Sequence, residues 1–123
     1  MEGIEDPVDA LSAMGRSYVH FGLEHPEQYR LMMMTKTEFD PGTHEIEDMP
    51  GMQTFFRLVD AAKACIDSGA FRQLDPFMVA VGLWVEVHGL TSLLISSKNF
   101  PWPDVEQLID HVLDVHKNGL RAR

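Results

Sequence analysis

The stretch that decides the fold runs from Asp75 to Lys98 and reads DPFMVAVGLWVEVHGLTSLLISSK. Asp75 is a favourable N-cap residue and Pro76 suits the first helical position, so the stretch predicts a helix over residues 76–97. Glu86 is the one formally charged residue in that range, and apolar side chains occupy every side of the helix. A helix of this kind either spans a membrane or is covered on both flanks inside a soluble protein.

Polar residues within the stretch favour the soluble alternative. Glu86 and His88 lie near its middle, where hydrocarbon surroundings would be costly for both side chains. Serine and threonine also account for four of the seven residues 91–97. We therefore predict a core helix with one flank on its own domain and the other flank on a second subunit, and no membrane partner.

Composition limits the class of protein. The chain has 123 residues, 45% of them hydrophobic, which fits one globular domain with a substantial core. Its formal net charge of −9 argues against direct binding of nucleic acid or an anionic membrane, because both require a basic surface. The acidic N-terminus has no signal-peptide pattern, and the single cysteine, Cys65, excludes an internal disulfide; both observations fit a cytoplasmic location.

Helical periodicity extends over most of the chain. We predict a leader over residues 1–6 and a single domain over residues 7–121. Apolar stripes with flanking proline, glycine and acidic residues predict four further helices, over 7–23, 26–34, 51–68 and 103–120. Polar residues 35–50 connect the second helix to the third. The predicted fold class is therefore all-α, a five-helix bundle.

No pattern in the sequence indicates catalysis or metal binding. It contains no phosphate loop, nucleophile elbow or dinucleotide fingerprint. His20 and His25 are five residues apart, as are His111 and His116, and this spacing does not place two ligands on one helix face. We predict no enzymatic activity, no catalytic residue, no metal site and no cofactor, and we interpret Cys65 as a buried thiol.

Trp84 and His88 are the candidate functional pair. They are four residues apart and share one face of the central helix, where each needs a hydrogen-bond partner. The pair is either a structural lock or the polar end of a ligand pocket, and the residues alone leave both interpretations open. The eight methionines similarly suit either ordinary core packing or an adaptable apolar lining.

Several segments resemble a known family. Leu83–Leu90, LWVEVHGL, resembles the Trp-His-Gly signature of a C-terminal domain found in tetracycline-repressor-type (TetR/AcrR) transcriptional regulators. Glu24–Met32, EHPEQYRLM, resembles the "HPE-Y-LM" segment of the same domain. Residues 68–76, which contain SGAF and then LDP, resemble the link before the signature helix. Pro7–Phe21 is similar in character to the family's first helix.

The resemblance spans roughly residues 6–120 and implies a regulatory domain that binds a small apolar or amphipathic effector and forms a homodimer. It implies that the last two helices pair with their copies across a two-fold axis. The first three helices would then enclose the effector against the inward face of the fourth.

This arrangement assigns residues to two surfaces. The dimer interface is predicted to consist of apolar residues on the last two helices: Leu83, Val87, Leu90, Leu94, Val105, Leu108, Ile109 and Val112. The effector is predicted to contact residues from four helices: Tyr18, Phe21, Met32, Met33, Phe55, Val59, Trp84, His88 and Thr91. His88, with Tyr18 or Thr91, would form the hydrogen bond to the effector's polar end.

Regulators of this family begin with a helix-turn-helix head, and this sequence contains no such segment. We therefore expect a fragment of a longer regulator or a headless relative, and the family's DNA contacts are not carried over to any residue here. Two alternative functions remain. One is a pure dimerisation module with a closed pocket, and the other is a small helical enzyme or metal protein that uses His88 and Glu86.

We predict that a protein of this sequence does not bind duplex DNA at physiological salt. Non-specific binding depends on neutralising phosphates with Lys and Arg, whereas this sequence has 19 acidic and 10 basic residues and no helix with clustered cations. An electrophoretic mobility shift assay with genomic fragments checks the prediction. Salt-sensitive retention of the DNA contradicts it.

Overall fold

The structure, a computed structural model, describes residues 6–34 and 52–122. Within these ranges it contains five α-helices: α1 (Pro7–Glu24), α2 (Pro26–Tyr29), α3 (Met52–Asp67), α4 (Pro76–Ser96) and α5 (Val105–Leu120). The predicted all-α fold class is confirmed. The predicted connection over residues 35–50, and all but the last residue of the predicted leader, lie outside the described residues.

Acidic N-cap residues set the starts of the long helices. The Asp6 carboxylate accepts hydrogen bonds from the backbone N–H groups of Val8 and Asp9, at 2.8 and 3.3 Å, ahead of α1. Asp75 accepts one from the Phe77 N–H at 3.1 Å ahead of α4. These bonds satisfy amides that the first turn of a helix leaves unpaired, which is why both predicted starts are confirmed.

Two predicted helices differ in detail from the structure. α5 begins at Val105 rather than at Pro103, because Asp104 acts as the N-cap and accepts a hydrogen bond from the Gln107 N–H at 3.0 Å. The helix predicted over 26–34 is α-helical only as far as Tyr29. It continues as a π-helical turn over Arg30–Met34, a rare conformation that is often associated with functional sites.

The hydrophobic core is organised around α4. This helix packs against α1 and α3, and α5 packs against α1. Apolar side chains from all four long helices and the α3–α4 connection form one buried cluster: Val8, Leu11, Val19, Ala62, Cys65, Ile66, Phe71, Val79, Leu83, Val87, Leu90, Leu94, Ile109 and Leu113.

Five of the eight predicted dimer-interface residues belong to this core. Leu83, Val87, Leu90, Leu94 and Ile109 are at most 8% exposed in the single chain, so their side chains pack inside it, and their contact with a second subunit stays a prediction. Val105, Leu108 and Val112 are partly buried against the core. The large apolar side chains that α4 leaves exposed are different ones: Phe77, Met78, Trp84, Val85 and Leu93.

The burial of α4 also helps to distinguish a core helix from a membrane-spanning helix. Within the described ranges, α4 is the one helix that is long and apolar enough to cross a membrane, with a mean hydropathy of 1.7 over an 18-residue stretch. Of that stretch, 44% is buried inside the single chain. This burial fits the core helix that the sequence predicted, because a helix that faces lipid would not lie at the centre of its own domain.

Cys65 is fully buried in the core, as expected for a thiol with a packing role. Its Sγ–H donates to the backbone carbonyl of Pro7 at 3.2 Å. Burial, and to a smaller extent the charge of Asp6, raises the pKa of the thiol to about 11. The group therefore stays protonated at neutral pH and is a poor nucleophile.

Gly22 allows α1 to approach its neighbours closely. A Cβ atom at position 22 would lie 2.3 Å from Thr91 Cγ2 and 3.1 Å from Tyr29 Cδ2. Both neighbours are fully buried, so neither side chain has space into which it can move.

Gly22→Ala is expected to lower the free energy of unfolding by about 1–3 kcal/mol, because the added methyl group overpacks this contact. Gly119→Ala is the control, since no heavy atom lies within 4 Å of a Cβ built at position 119. Its stability should be unchanged or slightly raised, because alanine favours a helix more than glycine does. Urea unfolding followed by circular dichroism compares the variants, and wild-type stability in Gly22→Ala contradicts the packing described.

Candidate functional site

The candidate site is a hydrogen-bonded cluster where α1, α2 and α4 meet. Tyr18 comes from α1, Tyr29 from the end of α2, and Trp84, His88 and Ser92 from α4. The three α4 residues follow one another at intervals of four, so they share one helix face. We call these five residues the Tyr–His network.

The Tyr29 hydroxyl is the centre of the network. It lies 2.6 Å from His88 Nδ1 and 2.9 Å from the Tyr18 hydroxyl. The Tyr18 hydroxyl accepts a hydrogen bond from Trp84 Nε1–H at 3.3 Å and lies 3.3 Å from His88 Nδ1. On the other side of the imidazole, Ser92 Oγ lies 3.4 Å from Nε2. Every polar group in the cluster therefore has a neighbour within hydrogen-bond distance.

Burial keeps both phenols protonated. Tyr29 is fully buried, and its burial raises its pKa well above the ordinary value; Tyr18 adds to the rise, while the Ser92 and Thr91 hydroxyls act in the opposite direction. Burial also raises the pKa of Tyr18, against hydrogen bonds from Tyr29 and Trp84 that lower it. At neutral pH both hydroxyls therefore have a proton to donate.

Aromatic rings extend the network toward the start of α4. The Phe55 ring centroid lies 5.9 Å from that of Trp84 and 5.6 Å from that of Phe77, which it meets edge-on. Trp84 is 42% exposed and Phe77 is 53% exposed, while Phe55 is half-buried. We call Phe55, Phe77 and Trp84 the aromatic rim. Aromatic rings beside a few convergent polar groups are the kinds of side chain that line small-molecule sites.

The structure brings together four of the nine predicted effector-lining residues: Tyr18, Phe55, Trp84 and His88. Thr91 lies behind them in the core. It is fully buried, and its hydroxyl donates to the Val87 carbonyl at 2.6 Å. Its hydroxyl proton is therefore used within α4 rather than directed toward a ligand.

For the other four predicted residues, contact with an effector stays a prediction. Phe21 is 40% exposed, with its ring 5.2 Å from that of His25. Met32 is 50% exposed in the π-helical turn. Met33 and Val59 are partly buried.

Sequence reasoning missed Tyr29, Ser92 and Phe77 as members of the site. The spacing along α4 could have indicated two of them. Ser92 lies four residues after His88, and Phe77 lies seven residues before Trp84, so both share the helix face of that pair. Tyr29 reaches the site from another helix, and spacing within one helix could not reveal that contact. Its position in the HPE-Y-LM segment was the only indication.

The alternative function, an enzyme or metal protein that uses His88 and Glu86, would need the two side chains to meet in one site, and the structure places them apart. Two residues apart on a helix, their side chains point to different sides. Glu86 Oε1 lies 3.1 Å from His116 Nδ1 of α5, whereas His88 faces Tyr29. In residues 6–34 and 52–122, no group of three or more His, Cys, Asp or Glu side chains is arranged to hold a metal ion.

An open cleft of about 290 Å³ lies elsewhere, between α1 and α5. Its two cationic side chains are already paired: Arg16 contacts Glu106 and Asp110, and Lys117 lies 3.2 Å from Asp114. We assign the candidate site to the Tyr–His network instead, because polar side chains and exposed aromatic rings meet there.

Comparison with protein families matches residues 11–116 to the family described as tetracyclin repressor-like, C-terminal domain. Comparisons with curated proteins and with solved structures give no significant match. The matched range contains the whole Tyr–His network and the whole aromatic rim.

His88→Phe is expected to lower the free energy of unfolding by about 1–3 kcal/mol, because the buried Tyr29 hydroxyl loses its hydrogen-bond partner at 2.6 Å. Adding Tyr29→Phe should recover part of that loss, since the double variant no longer buries that hydroxyl without this partner. Urea unfolding of the wild type, both single variants and the double variant at pH 7 measures the coupling. Losses that simply add would show that the two side chains are not coupled.

Proposed function

The chain belongs to the tetracyclin repressor-like C-terminal domain family, and we propose that it binds a small apolar or amphipathic effector and forms a homodimer in the cytoplasm. Family membership confirms the resemblance read from Leu83–Leu90 and makes the chain a regulatory domain of the TetR type. In this proposal the domain has no enzymatic role. Its response to the effector would pass to a DNA-binding head through the placement of the two subunits.

The observation that carries the effector proposal is the junction between the Tyr–His network and the aromatic rim. The indole ring of Trp84 belongs to both, because its Nε1–H bonds to Tyr18 while its ring adjoins Phe55. An effector placed on the rim would cover apolar surface that is now exposed, which is favourable at roughly 25 cal/mol per Å². His88 is only partly buried, and its ring centroid lies 6.4 Å from that of Trp84, so its side chain would be able to orient the effector.

Effector binding should depend on the rim. A screen of small apolar and amphipathic compounds by thermal shift should yield compounds that stabilise the wild-type protein, by about 2.7 kcal/mol at one hundred times the dissociation constant. Phe77→Ala should weaken that stabilisation, because it removes one ring of the rim. Phe100→Ala is the matched control, since Phe100 is similarly exposed, at 56% against 53%, but lies in the α4–α5 connection. Equal stabilisation of both variants contradicts the proposed site.

The homodimer proposal concerns a second surface, which we call the outer seam. On α4 it contains Met78, Gly82, Val85 and Gly89, and on α5 it contains Leu108, Val112 and Val115. The intervals alternate between four and three residues along both helices, as they do where helices pack side by side in left-handed bundles. Leu108 and Val112 belong to the interface predicted by sequence, and the other six residues of that prediction are not part of the outer seam.

Exposure supports this choice of surface. Met78, Val85 and Val115 are 68%, 62% and 58% exposed, so large apolar side chains on both α4 and α5 remain available to a partner. A Cβ atom at Gly89 would meet no heavy atom within 4 Å, so the backbone there is open to a close approach by another helix. A second copy related by a two-fold axis would cover the same residues on both subunits.

A buried histidine nitrogen lies beside the outer seam. His116 Nδ1 lies 3.1 Å from Glu86 Oε1, and in a neutral imidazole that donates Nδ1–H to this carboxylate, Nε2 is an acceptor. Among the described residues, Nε2 of His116 is buried with no hydrogen-bond partner. The imidazole adjoins Gly82, where a Cβ would lie 3.7 Å from His116 Cε1. A donor from a second copy, or an ordered water in the interface, would satisfy this nitrogen.

Val85→Asp should dissociate the dimer, because it places a charge in the centre of an interface expected to bury more than about 1,000 Å² in total. Leu31→Asp is the matched control: Leu31 is 69% exposed but lies in the π-helical turn, away from the outer seam. Analytical ultracentrifugation at micromolar concentration should show a dimer for the wild type and Leu31→Asp and a folded monomer for Val85→Asp. A monomeric wild type defeats the homodimer proposal.

A further inference from the structure

We propose that the effector is an uncharged hydrogen-bond acceptor on an apolar body, such as a ketone or an ester, and that His88 Nε2–H donates to its oxygen. This inference rests on the proposed effector-binding function and specifies the chemical class of the ligand. It follows from the direction in which protons are donated through the Tyr–His network.

Trp84 sets that direction, because an indole N–H can donate a hydrogen bond but cannot accept one. Its Nε1–H therefore donates to the Tyr18 oxygen at 3.3 Å. The Tyr18 proton then goes to the Tyr29 oxygen at 2.9 Å, and the Tyr29 proton goes to His88 Nδ1 at 2.6 Å. Each donor in this chain has one acceptor, and no hydroxyl proton lacks a partner.

The reverse direction leaves one proton without an acceptor. If His88 Nδ1–H donated to Tyr29, both Nδ1 and Trp84 Nε1 would be donors, and the two phenol oxygens would be the only acceptors among Tyr18, Tyr29, Trp84 and His88 Nδ1. Only one of the two phenol protons could then be donated from one hydroxyl to the other. Tyr18 is partly buried, and an unpaired hydroxyl proton there is unfavourable. The forward direction is therefore the one that the geometry supports.

The forward direction fixes the histidine tautomer. Because Nδ1 accepts from Tyr29, the single imidazole proton lies on Nε2. The nearest acceptor to Nε2 is Ser92 Oγ at 3.4 Å, which is at the long end of hydrogen-bond range. His88 is only partly buried, so Nε2–H remains able to bind an acceptor from outside the chain.

The surroundings favour an acceptor without charge. In the forward direction the network consists of an indole, two protonated phenols, an uncharged imidazole and a hydroxyl. The neighbouring Arg30 guanidinium bonds to the Glu27 carboxylate at 2.8 Å and to the Ile95 carbonyl at 3.4 Å. A carboxylate or phosphate placed against this network and the aromatic rim would lose its hydration without gaining a full countercharge, which is costly.

The first test determines the tautomer in the free protein. Nitrogen-15 NMR of histidine-labelled protein, with the His88 signals assigned by their loss in His88→Asn, should show a protonated Nε2 and an unprotonated Nδ1. A proton on Nδ1 overturns the inference. This measurement needs no ligand, so its result does not depend on the proposed function.

The second test uses acetophenone and α-methylstyrene, two probes of similar shape that differ in carrying a carbonyl or a methylene group. Titration followed by the Trp84 indole N–H signal should show about three- to tenfold tighter binding of acetophenone, the value of one hydrogen bond. His88→Asn should abolish the preference, because its amide lies near Nδ1 and leaves no donor at Nε2. His88→Gln, which places an amide N–H near Nε2, should retain it.

The outcomes separate the two proposals. Equal binding of both probes to the wild type overturns the acceptor assignment while leaving the effector site in place. Binding of neither probe contradicts the effector site itself and, with it, this inference. Tighter binding of α-methylstyrene than of acetophenone also overturns the assignment, because the carbonyl oxygen would then gain no hydrogen bond from His88 Nε2–H.

Discussion

The hydrogen bond from Tyr29 to His88 is the contact on which the rest of the site depends. α2 contains four residues and its π-helical continuation five, a length that is not stable as an isolated helix. Tyr29 is the one residue of this stretch that is buried. Its hydroxyl meets His88 at 2.6 Å, and its ring occupies the space that Gly22 leaves beside α1. One side chain therefore joins α2 to the bundle and completes the polar network.

α4 has no polar side because its side chains contribute to three different surfaces. Leu83 and Val87 face the core, and Trp84 and His88 face the network and the aromatic rim. Val85 faces outward, on the surface proposed to receive a second subunit. A helix that meets a different neighbour on each side needs apolar residues all round, which accounts for a stretch that looks, by composition, like a membrane span.

The sequence predicted the features that local chemistry determines. The pairs Asp6-Pro7 and Asp75-Pro76 specify helix starts through groups only a few residues apart, and the four-residue spacing of Trp84 and His88 places them on one face. It did not predict which side of α4 faces the core, because a helix that is apolar all round carries no directional pattern. Nor did it predict the contact of Tyr29 with His88, which lie 59 residues apart and meet only after the helices pack.

The most direct test of this account is hydrogen exchange in Tyr29→Phe, which keeps the buried ring and removes only the hydrogen bond. If that bond joins α2 to α4, amides in residues 26–34 should exchange about tenfold faster than in the wild type, because the segment opens more readily. Wild-type protection of those amides in Tyr29→Phe would contradict the central place given to this hydrogen bond.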